Sequence, residues 1–133
     1  MIKYFLLIFL ITVSFKAVIA QDKIENIHIS DTLRIKEKVD LYNQQAWKLR
    51  NKDVRSGLKY VDKALSLSDS IKYYKGQAAA HNYKGVLYRN LGFYNLALIE
   101  YQKAVDIAKQ HSIKKELGYG YNNLEFISIS GTP

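Results

Sequence analysis

The sequence contains no cysteine, which excludes disulfide bonds, thiolate nucleophiles and cysteine-ligated zinc. Its one proline is the last residue, Pro133, and glycine occurs only seven times. Because proline and glycine interrupt helices, their scarcity lets helices run on and argues against a sheet protein with many turns. A chain of 133 residues, 48% hydrophobic and 24% charged, is at most one domain of ordinary composition.

The sequence also lacks the motifs of catalytic and metal sites. No His-Glu-x-x-His pattern or Gly-x-Ser-x-Gly elbow occurs, and no glycine loop has the context needed to cradle a phosphate. The nearest helical carboxylates, Glu37 and Asp40, are explained by a solvated face, and His81 by a structural role. We therefore predict no catalytic, cofactor-binding or metal-binding residue, no cofactor, and no enzymatic activity.

Residues 1–20 have the layout of a secretory signal. A basic start at Lys3 precedes a run of 12 uncharged residues from Tyr4 to Phe15, and small or aliphatic residues lie before Gln21. That run is too short to span a bilayer, which needs ~20 apolar residues. An uncleaved anchor and a buried first helix are the alternatives. We predict that the chain is exported, periplasmic or secreted, with no membrane span in its mature part.

Positive charge dominates, with 20 basic against 12 acidic residues and a net charge of +8. Loss of Lys3 and Lys16 with the signal would lower this to +6. Solvated helix faces explain much of the charge. An acidic partner, such as a peptide, a lipid headgroup or a cell-envelope polymer, is the other interpretation, whereas nucleic acid is not expected outside the cell.

Two helical patterns separated by a turn at 90–92 dominate residues 76–110. Apolar residues recur at steps of three and four in both, as in amphipathic helices. Small residues stand where two antiparallel helices would cross: Gly85, Ala97 and Ala104. Large ones are expected to fill the gaps between them: Tyr88, Tyr94 and Tyr101.

These residues resemble one tetratricopeptide repeat, whose pattern is a small residue, an aromatic, Gly-x-Tyr, alanine, an aromatic and alanine. The corresponding residues are Gly85, Tyr88, Gly92-Phe93-Tyr94, Ala97, Tyr101 and Ala104. The resemblance implies an all-α fold of antiparallel helix hairpins stacked into a superhelix.

About two and a half such units are predicted, at 31–69, 72–110 and 113–127, after a linker at 21–30 and before a tail at 128–133. The first would begin at Ser30-Asp31, and Asp53 would cap its second helix. Ala64 and Ala104 lie 40 residues apart, against the family's usual ~34. The third unit lacks a second helix, so the chain is either a fragment of a longer protein or ends on a capping helix.

In solenoids of helix pairs, the first helices line a groove where peptides usually lie. The candidate groove residues here are Asn43, Trp47, Arg50, Asn82, Val86, Arg89 and Asn122. Asparagine can bond an extended peptide backbone and arginine a carboxylate, so the predicted partner is a protein or peptide, possibly acidic. Ordinary exposed polar residues, with Trp47 in the core, are the competing interpretation.

The spacing also resembles exported repeat arrays that precede a membrane helix in bacterial sensor kinases and related regulators. Two hypotheses follow. The chain is an exported scaffold that binds a peptide or protein, or it is the sensory N-terminal region of a membrane-bound signalling protein.

Overall fold

The computed structural model describes residues 2–130, with the side chains of residues 14, 16–23, 25, 28 and 30–129. Within that range the chain is all-α and contains no strand. Its five helices are α1 (Ile2–Leu49), α2 (Val54–Ser70), α3 (Tyr74–Asn90), α4 (Tyr94–Gln110) and α5 (Lys114–Ser130). The predicted fold class is confirmed at this level.

The chain divides into two compact units, residues 1–34 and 35–133. The linker predicted at 21–30 is wrong, because α1 runs through it without a break. No glycine or proline ends the helix there, and the Thr32 hydroxyl donates to the carbonyl of His28 (2.9 Å), as a hydroxyl inside a helix does. The helix start predicted at Ser30-Asp31 is wrong for the same reason. The targeting role of residues 1–20 stays a prediction.

Helix boundaries recur every 40 residues in the second unit. α2 and α4 begin 40 residues apart, as do α3 and α5, and all four helices are 17 residues long. Three-residue turns connect them, so consecutive helices run antiparallel. The tail predicted at 128–133 is partly wrong, since α5 continues to Ser130; residues 131–133 lie outside the described range.

Small side chains allow α3 and α4 to approach closely. Gly85 lies directly against the ring of Tyr101, which is fully buried together with Ala97 and Ala104. The prediction for these residues is confirmed. The one for Tyr94 is wrong, since 47% of this residue is exposed. It is the first residue of α4 and stands at the end of the helix pair, beside the turn.

The turns have distinct chemistry. Asp53 caps α2, as predicted, by accepting a hydrogen bond from the amide of Ser56 (3.1 Å). The turns after α2 and α4 place Lys72 and Ser112 at positive φ, 53° and 56°. In each, the next amide bonds back five residues, to Ser68 or Ala108, which forms a Schellman cap.

Two apolar clusters form the core of the second unit. The first joins α1, α2 and α3 through buried residues: Val39, Ala46, Val61, Ala64, Ala80 and Leu87. The second joins α3, α4 and α5: Val86, Ala97, Tyr101 and Ile127. α3 contributes to both clusters, so it is the central helix of this unit.

Candidate binding groove

Side-chain amides connect the odd-numbered helices. Asn43 of α1 donates to the carbonyl of Gly76 in α3, and Asn82 of α3 donates to that of Glu116 in α5, both at 3.0 Å. Gly76 and Glu116 are 40 residues apart, so the two bonds link equivalent points of successive helices. We call the surface formed by α1 from residue 35, α3 and α5 the odd-helix face.

These bonds correct the predicted role of both asparagines. Asn43 and Asn82 are buried, so neither presents its amide to solvent as a peptide-binding residue would. Sequence periodicity assigned them to the correct side of each helix. It could not show that the next helix covers that position, because the partner carbonyls lie 33 and 34 residues away.

Three other predicted groove residues differ in how far they are exposed to solvent. Val86 is buried in the second apolar cluster, so it does not line an open groove. Arg89 is half-buried, with its guanidinium 4.8 Å from the centre of the Phe126 ring. Asn122 is exposed on α5.

Trp47 and Arg50 lie together on the odd-helix face. The Trp47 side chain is 42% exposed, so the interpretation as a core residue is wrong. Its ring packs against Tyr83 at 5.2 Å between centroids, and the Arg50 guanidinium lies 3.9 Å from the ring centre. Arg50 also donates to the carbonyl of Trp47 (2.8 Å). Trp47 thus contacts both Tyr83 and Arg50.

Carboxylates share the odd-helix face, which is therefore less basic than the composition suggests. The Tyr73 hydroxyl donates to Asp40 (3.2 Å), and burial together with Asp40 raises the pKa of Tyr73 to about 12. Burial raises the pKa of Glu116, whose Oε2 has no hydrogen-bond partner. Burial, with Glu116 next in effect, also raises the pKa of Tyr83.

Tyr83, Tyr73 and Glu116 were missed by sequence reasoning. Tyr83 meets Trp47 across 36 positions, and no spacing rule for a single helix pairs residues so far apart. Neither tyrosine was among the predicted groove residues. Their place beside Asp40 and Trp47 follows from the stacking of helices.

A second concave site lies between α2, α3 and α4. It is a cleft of about 440 Å³, lined by Leu65, Ser66, Asp69, Gln77, His81 and Ile107. His81 bonds through Nδ1 to Glu100 (2.7 Å), which also pairs with Lys103 (2.9 Å). Burial alone would raise the pKa of Glu100, but the bonds from His81 and Lys103 outweigh it and lower the pKa to about 2. The structural role predicted for His81 is confirmed.

The chemistry available in this cleft is limited. Within the described residues, the hydrogen bond of His81 goes to Glu100 and none joins His81 to Ser66. Among residues 2–130, no group of three His, Asp or Glu side chains is placed to hold a metal ion.

None of the helices within residues 2–130 has both the length and the apolar character required to cross a bilayer. Comparisons with protein-family models, with curated proteins and with solved structures give no match for this chain. Its function must therefore be argued from its own residues.

Proposed function

We propose that the chain is an exported scaffold of the tetratricopeptide-repeat type that binds a peptide or protein on its odd-helix face. The 40-residue recurrence of helix boundaries and the close contact of Gly85 with Tyr101 support the repeat assignment. The signal-like segment at residues 1–20 supports export. The proposed partner is an extended segment with an acidic or aromatic residue.

The observation that carries this proposal is the exposed Trp47 held between Tyr83 and Arg50. Tryptophan, tyrosine and arginine are the residues that dominate binding energy at protein interfaces. A side chain fixed before binding loses less conformational entropy when a partner arrives. Arg50 has further N–H donors with which to bind a carboxylate.

The sole tryptophan makes the test direct, because all intrinsic tryptophan fluorescence comes from Trp47. Peptides selected from a random display library on the full chain should change this emission on titration. Trp47→Ala, followed by calorimetry, should weaken the selected peptides at least tenfold, and Arg50→Ala should weaken those with an acidic residue. Arg55→Ala, an exposed change on α2, is the matched control.

The proposal fails if selection enriches no peptide, or if selected peptides bind wild type and Trp47→Ala equally. Titrations at low and high salt separate two kinds of contact. Binding that depends only on general positive charge is lost in salt and is insensitive to Trp47→Ala, which also counts against the proposal.

A second candidate is the sensory region of a membrane-bound signalling protein. The face of α5 with Tyr121 and Ile129 corresponds, at the 40-residue spacing, to the positions of His81 and Arg89 on α3. Both α5 residues are exposed, whereas His81 bonds to α4. A further helix would cover them in a longer array. Coding sequence downstream with more repeats, a membrane helix and a kinase would favour this candidate.

A further inference from the structure

One turn of the molecule carries a group of exposed apolar side chains. They belong to the α3–α4 turn and the first turns of α4, and we call them the apolar tip: Leu91, Phe93, Tyr94, Leu96 and Ile99. Phe93 is 53% and Ile99 51% exposed. Burying one such side chain is favourable by about 1.5–3 kcal/mol, so leaving five in water is costly.

At four of these five positions the fold does not require an apolar residue; the equivalent of Tyr94 at the start of α2 is the apolar Val54. The α1–α2 turn, 40 residues earlier, is one residue longer and leads into a helix of the same length. There the residues equivalent to Leu91, Phe93, Leu96 and Ile99 are all polar: Asn51, Asp53, Ser56 and Lys59. The apolar tip is therefore an addition to a turn that folds without it.

Positive charge lies on the turn next to the apolar tip. The Asn90 amide donates to the carbonyl of Arg50 (2.8 Å) and to Oδ1 of Asn51 (2.9 Å), so the two turns lie side by side. The α1–α2 turn thereby brings three exposed basic residues to the same end of the second unit: Lys48, Lys52 and Arg55. The acidic residue in that turn, Asp53, is engaged in capping α2.

The opposite end of the same helices has a different character. Exposed residues at and beside the turns after α2 and α4 are polar: Ser70, Lys72, Gln110, His111 and Ser112. Whereas the exposed residues of the turns after α2 and α4 are polar, the α3–α4 turn thus combines exposed apolar and aromatic residues with a cationic border. This is the composition of surfaces that settle into the interface of a membrane, where aromatic rings lie at headgroup level and lysine or arginine meets anionic lipid.

We propose that the apolar tip docks on the surface of an anionic lipid bilayer. Phe93, Tyr94 and Leu96 enter the boundary between headgroups and acyl chains. Lys48, Lys52 and Arg55 bind lipid phosphates. A shallow depression of about 390 Å³ lies among residues 92–96 of the same surface. The contact is interfacial and requires no spanning helix.

The absence of cysteine permits a site-specific test on the full chain. A single cysteine is introduced by Asn95→Cys at the tip or by Gln110→Cys at the other end of α4, and is labelled with an environment-sensitive fluorophore. Both positions are exposed. Vesicles of phosphatidylcholine and phosphatidylglycerol, two to one, should raise and blue-shift emission from position 95 and leave position 110 unchanged. Pure phosphatidylcholine vesicles should give at least a tenfold weaker response.

A second substitution separates docking from folding. Phe93→Asp, added to Asn95→Cys, provides the cap that Asp53 gives to α2 and so should not unfold the chain. It should weaken the vesicle response at position 95 at least tenfold while circular dichroism keeps the helical signal.

Three results would overturn the proposal. The first is no response at position 95, and the second is equal responses at positions 95 and 110, which would indicate binding through another segment. The third is a shift at position 95 that depends on protein concentration without vesicles, which would assign the tip to a protein contact.

Discussion

The two helix hairpins of the second unit, α1–α2 from residue 35 and α3–α4, solve the same packing problem differently. In the first hairpin, a glycine on the helix after the turn allows the close approach: Gly57 lies against Ala46 and Leu87. In the second, the glycine is on the helix before the turn, and Tyr101 fills the space over Gly85. The point of close approach is fixed by geometry. Either helix can carry the glycine, provided that the total side-chain volume at the contact is unchanged.

The hairpins also differ in polar contacts. Asp53 caps α2, whereas Phe93, at the same position before α4, has no side-chain cap. The second hairpin has the hydrogen bond between His81 and Glu100, while the equivalent residues of the first are Leu41 and Tyr60. Local stabilisation is thus placed at the turn in one hairpin and between the helices in the other.

The largest expected difference in stability between the hairpins concerns Tyr101. Tyr101→Ala should destabilise the fold by about 3–5 kcal/mol, because it leaves a cavity over Gly85 in a fully buried site. Val61→Ala, the equivalent change in the first hairpin, removes less volume and should cost less. Urea denaturation measures both. Equal losses would show that the second hairpin does not depend on its aromatic residue.

The stability that Glu100 contributes to the second hairpin should depend on pH, and the first hairpin has no equivalent carboxylate. Glu100→Gln should cost roughly 1–2 kcal/mol at pH 7, since it weakens hydrogen bonds to a charged group. The folded-state pKa of Glu100 lies below its ordinary 4.5, at about 2, so this stabilisation is present above pH 4.5 and is lost as pH falls toward 2.

Denaturation of wild type and Glu100→Gln at pH 7 and at about pH 2.5 should show the difference shrinking in acid. Glu125→Gln, on the exposed surface of α5, is the matched control and should give little difference at either pH. A difference that persists undiminished in acid would contradict the proposed source of stabilisation.

The two glycines should respond unequally to alanine. Gly85→Ala places a methyl group into the Tyr101 ring, and we expect a loss of about 1–3 kcal/mol despite the better helix propensity. Gly57→Ala meets mainly Cδ2 of Leu87, at 2.8 Å, which is a single methyl group rather than an aromatic ring. Its cost should be offset by the ~1 kcal/mol propensity gain. Similar thermal midpoints for the two variants would refute this.

The smallest effect concerns the caps. Asp53→Ala should lower the denaturation midpoint, because the amide of Ser56 loses its acceptor. Phe93→Asp should raise the free energy of unfolding by about 0.5–1 kcal/mol by supplying the missing cap. If Phe93→Asp is destabilising, the Phe93 ring contributes to packing, and the apolar tip is part of the fold.

Features that depend on near neighbours were accessible from the sequence. The turn at 51–53, the cap by Asp53 and the small residues at 85, 97 and 104 all follow from patterns a few residues long. The prediction of a linker at 21–30 was wrong because polar composition was taken as a helix break. No residue in that range prevents helix formation. The prediction that Tyr94 fills a gap between the helices was wrong because its position at the start of α4 was not considered.

The candidate site was only partly predictable. Trp47 and Arg50 were selected by their residue types and share one stacked group. Asn43, Asn82 and Val86 were selected by the same reasoning, but other helices cover them. Periodicity identifies the face of a helix and does not tell which neighbour lies on that face.

The sequence by itself determined five helices with short turns and a 40-residue recurrence from α2 on, because helix propensity, capping and amphipathic spacing act within a few residues. Tertiary structure alone decided that two asparagines become interhelical links, that Tyr83 supports Trp47, and that basic and apolar residues meet at one end of the second unit. Those contacts join residues 33 to 40 positions apart, and only the stacking of helices brings them together.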